Sequence, residues 1–184
     1  ALAYRGVAGS CAGCGPSTVL RLLATATLHD RTADALGVVT APVCGVVASW
    51  ADGFDRRVTS ETALDLQTAI TAAWALRDRW DADGRRDRRV WIVAGDLDVA
   101  ATGVAALDAL FDSGTDIKVL ILATDGPPGA DVATRIVGRD GVYAARTTGA
   151  HLVHAVHVLN DADAFPGPAV VVAYAACQPF HGIA

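Results

Sequence analysis

Four cysteines are the residues of this chain whose type and spacing most directly suggest chemistry. Cys11 and Cys14 form a C-x-x-C pair inside Gly9-Ser10-Cys11-Ala12-Gly13-Cys14-Gly15, Cys44 follows alone, and Cys177 stands near the end. The small residues around the first pair let backbone wrap closely around a bound group. Four thiolates hold zinc or an iron–sulfur cluster. A thioredoxin-like redox pair also uses C-x-x-C but needs no third or fourth cysteine. Structural zinc usually takes two short pairs, and Cys44 and Cys177 do not make a second one. Disulfides would require an oxidising compartment. Spacing alone therefore leaves a cluster, zinc, and buried or disulfide-bonded cysteines open, with the cluster favoured.

A second group of oxygen ligands follows two apolar runs. Gly95-Asp96 closes Arg89–Ala94, and Thr124-Asp125 closes Ile117–Ala123. A carboxylate from Asp96, a hydroxyl from Thr124 and the carbonyl of Gly126 would suit Mg²⁺, which prefers hard oxygen ligands shared with a phosphate. An Asp at a strand end also serves as a helix cap or turn former.

These residues need elements to position them. Leu36–Ala41, Arg89–Ala94, Ile117–Ala123 and Ala169–Ala175 are near-continuous apolar runs, which read as buried strands. Pro16–Thr27 and Val104–Phe111 read as helices, the first with Pro near its start. Thr59-Ser60-Glu61 reads as the opening of a further helix through Ala63, Leu66, Ile70, Ala73 and Leu76. Arg77–Arg89 mixes Arg and Asp, and is expected to be a helix end and a solvated loop. Its sharper alternative is a docking rim for an acidic electron carrier. Leu152–Leu159 fits strand or helix.

Buried strands alternating with helices imply an α/β fold: a doubly wound, mostly parallel sheet with helices on both faces. Ligands of such sheets bind beyond the carboxyl ends of the strands. Cys44, Gly95-Asp96, Thr124-Asp125 and Cys177 all follow strands, so the chemistry is expected to converge on one sheet edge.

Composition bounds the rest. At 184 residues, with 52% hydrophobic and 19% charged residues, the chain is expected to form one domain with a large core. A net charge of −5 argues against general nucleic-acid binding. No apolar run reaches membrane-spanning length, and no basic-then-apolar secretory leader is visible. The chain begins with Ala rather than Met, as a processed chain or a piece of a longer one would.

With these residues in view, the sequence resembles the thiamine-diphosphate-binding, cluster-bearing domain of pyruvate:ferredoxin oxidoreductase and related 2-oxoacid:ferredoxin oxidoreductases. Gly9–Gly15 is similar to the family's opening cluster motif. Cys44-Gly45 with Trp50-Ala51 resembles its third-ligand region, and Trp91–Asp96 resembles the strand leading to the pyrophosphate turn. Leu107-Asp108, Ser113-Gly114 and Val119–Thr124 continue the likeness. Phe165–Tyr174, Cys177 and His181-Gly182-Ile183 resemble the closing segment.

The resemblance implies a [4Fe–4S] cluster on Cys11, Cys14, Cys44 and Cys177, and thiamine diphosphate with Mg²⁺ at Gly95, Asp96, Leu97, Thr124 and Gly126. It also implies oxidative decarboxylation of a pyruvate-like 2-oxoacid, transfer of the acyl group to coenzyme A, and single-electron transfer through the cluster to ferredoxin. In such enzymes a different domain holds the aminopyrimidine, so this chain is expected to need other subunits or domains and to be inactive alone. A cluster implies a reducing cytoplasm.

Two departures stand out. The family's Gly-Asp-Gly is here Gly95-Asp96-Leu97, with a bulky side chain where backbone should approach a phosphate. Asp125-Gly126-Pro127-Pro128-Gly129-Ala130 replaces the family's Asn and Gly-Gly-Gln stretch. An intact cluster motif beside an altered thiamine motif also fits an electron-transfer or structural module of a larger complex, and a zinc-stabilised domain is the blander reading. His151, His154 and His157 recur every third residue and are expected on a partly exposed surface segment rather than as a metal trio. Trp50, Trp74, Trp80 and Trp91 are expected to be core or interface anchors.

Overall fold

A computed structural model describes residues 3–28, 35–44, 49–124 and 132–177. Six strands lie in its sheet: β1 (Leu36–Thr40), β2 (Val58–Thr62), β3 (Arg89–Gly95), β4 (Ile117–Ala123), β5 (Tyr143–Thr148) and β6 (Ala169–Tyr174). Their order is β2-β1-β3-β4-β6-β5, and every neighbouring pair is parallel. The helices are α1 (Gly15–Leu28), α2 (Leu66–Ala82), α3 (Asp96–Asp98), α4 (Val104–Asp112), α5 (Val132–Ile136) and α6 (Leu152–Ala164). A π-helical turn, Val99–Gly103, joins α3 to α4.

The apolar strands are buried on both faces, as a parallel sheet with helical crossovers requires. Side chains alternate between two cores. Val38, Trp91, Val93, Leu120, Leu122 and Val171 pack with Val19, Leu20 and Leu23 of α1 and Leu159 of α6. Val39, Val90, Ile92, Val119 and Ile121 pack on the other side with Ile70 and Leu76 of α2 and Leu107 and Leu110 of α4. Fully burying each such Leu or Ile contributes about 1.5–3 kcal/mol. The expected α/β fold, with helices on both faces, is what the chain forms.

Local details correct the sequence reading at three places. Thr59-Ser60-Glu61 lies within β2, and the helix begins at Leu66, where the Asp65 carboxylate accepts from the Thr68 backbone N–H at 2.7 Å. Leu152–Leu159 resolves as helix and extends to Ala164. The stretch after α2 is a loop, but Arg77 is buried, bonding the Asp81 carboxylate and the carbonyls of Arg85 and Arg88.

Candidate functional site at the carboxyl edge of the sheet

Cys11 and Cys14 bracket a tight turn in which the Cys14 N–H donates to the Cys11 carbonyl at 3.2 Å. Cys14 then opens α1, its carbonyl accepting from the N–H and the hydroxyl of Thr18, both at 3.1 Å. The next residue ties this turn to the far end of the chain. Gly15 N–H donates to the Ala176 carbonyl at 3.2 Å, one residue before Cys177. A Cβ at Gly15 would lie 2.5 Å from that oxygen, so the backbones meet because position 15 has no side chain.

Cys44 arrives by a similar device. Beyond β1, the Pro42 carbonyl accepts from Gly95 N–H at 2.9 Å, and a Cβ at Gly95 would sit 2.7 Å from the Val43 carbonyl. The strand order reverses direction between β1 and β3, so the segments ending in Cys44 and in Asp96 meet at a topological switch point, the usual ligand crevice of such sheets. Cys14 and Cys44 both pack on the core of α1 and α6. Cys177 is buried, the other three are half-buried, and none of the four is in a disulfide.

Among the described residues no three His, Cys, Asp or Glu side chains converge closely enough to hold a single metal ion. Four cysteines, none in a disulfide, are the donor type that a cluster takes.

Asp96 and Thr124 come together as their positions after β3 and β4 suggest. The buried Asp96 carboxylate accepts from Thr124 N–H at 3.3 Å, from its hydroxyl at 3.4 Å and from Leu97 N–H at 3.1 Å. Leu97 is 52% exposed in α3, and its N–H is engaged by the Asp96 carboxylate. Gly126, with Asp125 and the Pro127-Pro128 turn, lies outside the described residues, as do Gly45 and His181–Ile183. His151 just before α6 and His154 and His157 on it are exposed, and the His154 Nδ1 is 3.0 Å from the Thr147 hydroxyl. Trp50, Trp80 and Trp91 are core anchors, and Trp74 is half-buried.

Several polar groups near the site carry no spacing signal in the sequence. Burial pushes the Tyr4 hydroxyl up to about 12, the Ser17 hydroxyl pulls it down, and the nearby Cys14 raises it. Asp98, two residues after Asp96, is held above the usual carboxylate range by burial, against a bond from the Leu66 backbone N–H. Only the fold reveals these neighbours, because Tyr4 and Asp98 are remote in sequence from Cys14 and Leu66 respectively.

No protein-family model matches the chain. Among curated proteins it is similar to a probable pyruvate-flavodoxin oxidoreductase of Escherichia coli (strain K12), with 26% identity over 129 residues. That match covers 55% of this chain and 11% of the relative, so the chain spans a small part of that protein's length. Among solved structures it superposes on 2-oxoglutarate:ferredoxin oxidoreductase from Magnetococcus marinus, which carries 2-oxoglutarate, coenzyme A and succinyl-CoA. The TM-score is 0.74 at 14% identity, over 98% of this chain and 68% of the other. It also superposes on a putative thiamin diphosphate-dependent enzyme from Mycobacterium smegmatis, with TM-score 0.61, 17% identity, and 94% and 33% of the two chains. The solved structures bear out the expected fold, and the curated relative lies in the family whose motifs the sequence resembles.

Proposed function

We propose, proceeding from a chain that is a divergent relative of the 2-oxoacid oxidoreductases, that it is the cluster-bearing, thiamine-diphosphate-type module of a pyruvate-like 2-oxoacid:ferredoxin oxidoreductase. The observation that supports it best is placement. The C-x-x-C turn is bonded to the segment of Cys177, the segment of Cys44 is bonded to Gly95, and Asp96 is bonded to Thr124, all beyond the carboxyl ends of one parallel sheet.

In this reading Cys11, Cys14, Cys44 and Cys177 hold a [4Fe–4S] cluster. Asp96, Thr124 and the Gly126 carbonyl hold the Mg²⁺ of thiamine diphosphate. Thiamine diphosphate supplies carbanion chemistry at a 2-oxo carbon, and the cluster supplies one-electron acceptance. The chain's own residues position and polarise. The Thr124 N–H and hydroxyl orient the Asp96 carboxylate. The apolar core beneath Cys14 and Cys44 keeps water from their inner side. Coenzyme A, the 2-oxoacid and a ferredoxin-like acceptor would meet this edge in a complex with other subunits or domains, in a reducing cytoplasm.

Leu97 favours a second reading. Its side chain stands where backbone would approach a phosphate, which fits a module that keeps electron transfer and has lost thiamine binding. Electron paramagnetic resonance on the complex separates the two. A reduced-cluster signal from 2-oxoacid, coenzyme A, Mg²⁺ and thiamine diphosphate, matching that from dithionite, supports the oxidoreductase. A signal from dithionite alone supports the electron-transfer module. No signal from either sinks both.

A further inference from the structure

The two cysteines of the C-x-x-C pair stand at the ends of one tight turn, and that turn has a chemistry of its own. Residues 7–10 form a first turn, in which the Val7 carbonyl accepts from the Ser10 N–H at 3.2 Å and from its hydroxyl at 2.9 Å. Residues 11–14 form a second, closed by the Cys14 N–H on the Cys11 carbonyl at 3.2 Å. Gly13 is its third residue, with φ +69°, the left-handed backbone that a type II turn requires there. Such a turn brings its first and fourth Cα atoms within about 7 Å. A disulfide joins Cα atoms about 4.4–6.8 Å apart, so the pair can be bridged with little movement of the backbone.

The helix side of the turn is fixed. The Cys14 carbonyl accepts from the N–H and hydroxyl of Thr18, the Gly15 N–H is held by the Ala176 carbonyl, and Cys14 packs on the core of α1. The outer side is open. Ala12 and Gly13 are exposed, Cys11 is half-buried, and a Cβ at Gly13 would meet nothing within 4 Å. A small reagent therefore reaches Cys11 without the fold opening, whereas Cys177 is only 4% exposed. Disulfides at exposed positions are the labile, regulatory ones, and in a reducing compartment such bonds are transient.

We propose that Cys11 and Cys14 close to an intramolecular disulfide by exchange with a low-molecular-weight disulfide such as oxidised glutathione, and that this closure is a redox gate withholding two of the four cysteines from any bound metal group. The Cys11 sulfur attacks the small disulfide, forming a mixed disulfide and releasing one small thiol. The Cys14 sulfur then attacks the Cys11 sulfur, and the second small thiol leaves. Two electrons pass to the small disulfide, and the two cysteine protons end on the two thiols released. The inference rests on the turn alone and stands with or without the cluster reading.

The test is made on the metal-free full chain, equilibrated anaerobically in buffers of increasing oxidised-to-reduced glutathione ratio, alkylated, cut with trypsin and weighed by mass spectrometry. Cys11 and Cys14 share the tryptic peptide 6–21, and Cys44 and Cys177 lie in two others. Peptide 6–21 is expected to become lighter than its dithiol form by two hydrogens and to escape alkylation, while Cys44 and Cys177 are alkylated. Gly13→Val opposes the left-handed turn without a clash, and is expected to lower the disulfide-to-dithiol ratio at a given buffer about tenfold. Gly84→Val, at an equally open left-handed glycine just after α2, is expected to leave that ratio unchanged. Alkylation of both cysteines in every buffer, Cys14 joined to Cys177 or Cys44, glutathione retained on Cys11, or equal shifts in the two variants overturns the proposal. Should Gly13→Val not fold, the wild-type peptide masses decide alone. Iron uptake by the reduced chain is read separately, so failure of the cluster reading leaves this result standing.

Discussion

At the residue scale, the site depends on backbone that approaches only because a side chain is missing, and on one that is present where the family has none. Gly15 brings the C-x-x-C turn against Ala176. Gly15→Ala is expected to part these segments and to lower iron uptake well below the wild-type level, read by iron assay on reconstituted protein, while circular dichroism shows the helices retained. Leu97 is the opposite case. Leu97→Gly is expected to tighten Mg²⁺-dependent thiamine-diphosphate binding, measured by titration calorimetry, at a cost in helix stability of about 1 kcal/mol. Unchanged binding would place the obstacle elsewhere. The types and order of the site residues were legible in the sequence, since cysteines after apolar runs and Asp96 before a helix declare themselves. The burial of Tyr4 was not legible, because it is made by the contact of Tyr4 with Phe54, which is remote in sequence.

At the scale of elements, legibility followed burial. β1, β3, β4 and β6 are interior strands, and their Val/Ile/Leu runs identify them. β2 and β5 are the two edges of the sheet, and Val58–Thr62 and Tyr143–Thr148 are half-exposed and polar enough to hide. Thr59-Ser60-Glu61 imitates a helix start, and the true cap is Asp65. Its carboxylate is held below the usual range by the Thr68 backbone N–H. A depressed carboxyl stabilises the fold above its unfolded pKa and loses that stabilisation as pH falls through the folded pKa. Asp65→Ala is therefore expected to melt below wild type at neutral pH, with the gap closing in acid. The opposite sheet edge carries its own device. The fully buried Lys118 bonds the carbonyls of Phe165 and Gly167 at 2.5 and 2.6 Å and the Asp116 carboxylate at 2.5 Å. Lys118→Met removes the cation that holds the loop before β6. It is expected to cost about 1–3 kcal/mol in urea unfolding, because the Phe165 and Gly167 carbonyls lose their donor, with little direct effect on the carboxyl edge.

At the scale of the whole molecule, most of the exposed large apolar side chains among the described residues follow strands at the carboxyl edge, and Val137 after α5 does not. Leu64 after β2, Leu97 after β3, Leu152 and Val153 after β5, and Tyr174 ending β6 are exposed there. Such a face suits the other subunits or domains that the proposed reaction requires. Leu64→Asp is expected to weaken association with them in size-exclusion chromatography while leaving the melting temperature of the chain unchanged. No helix among the described residues is long and apolar enough to cross a membrane. The central claim is the cluster, and iron and sulfide analysis of anaerobically reconstituted protein, joined to electron paramagnetic resonance after dithionite, tests it most directly. The account predicts about four irons and four sulfides per chain, with a reduced-cluster signal that is lost in Cys177→Ser. Bound zinc, or no iron and no signal, would contradict it.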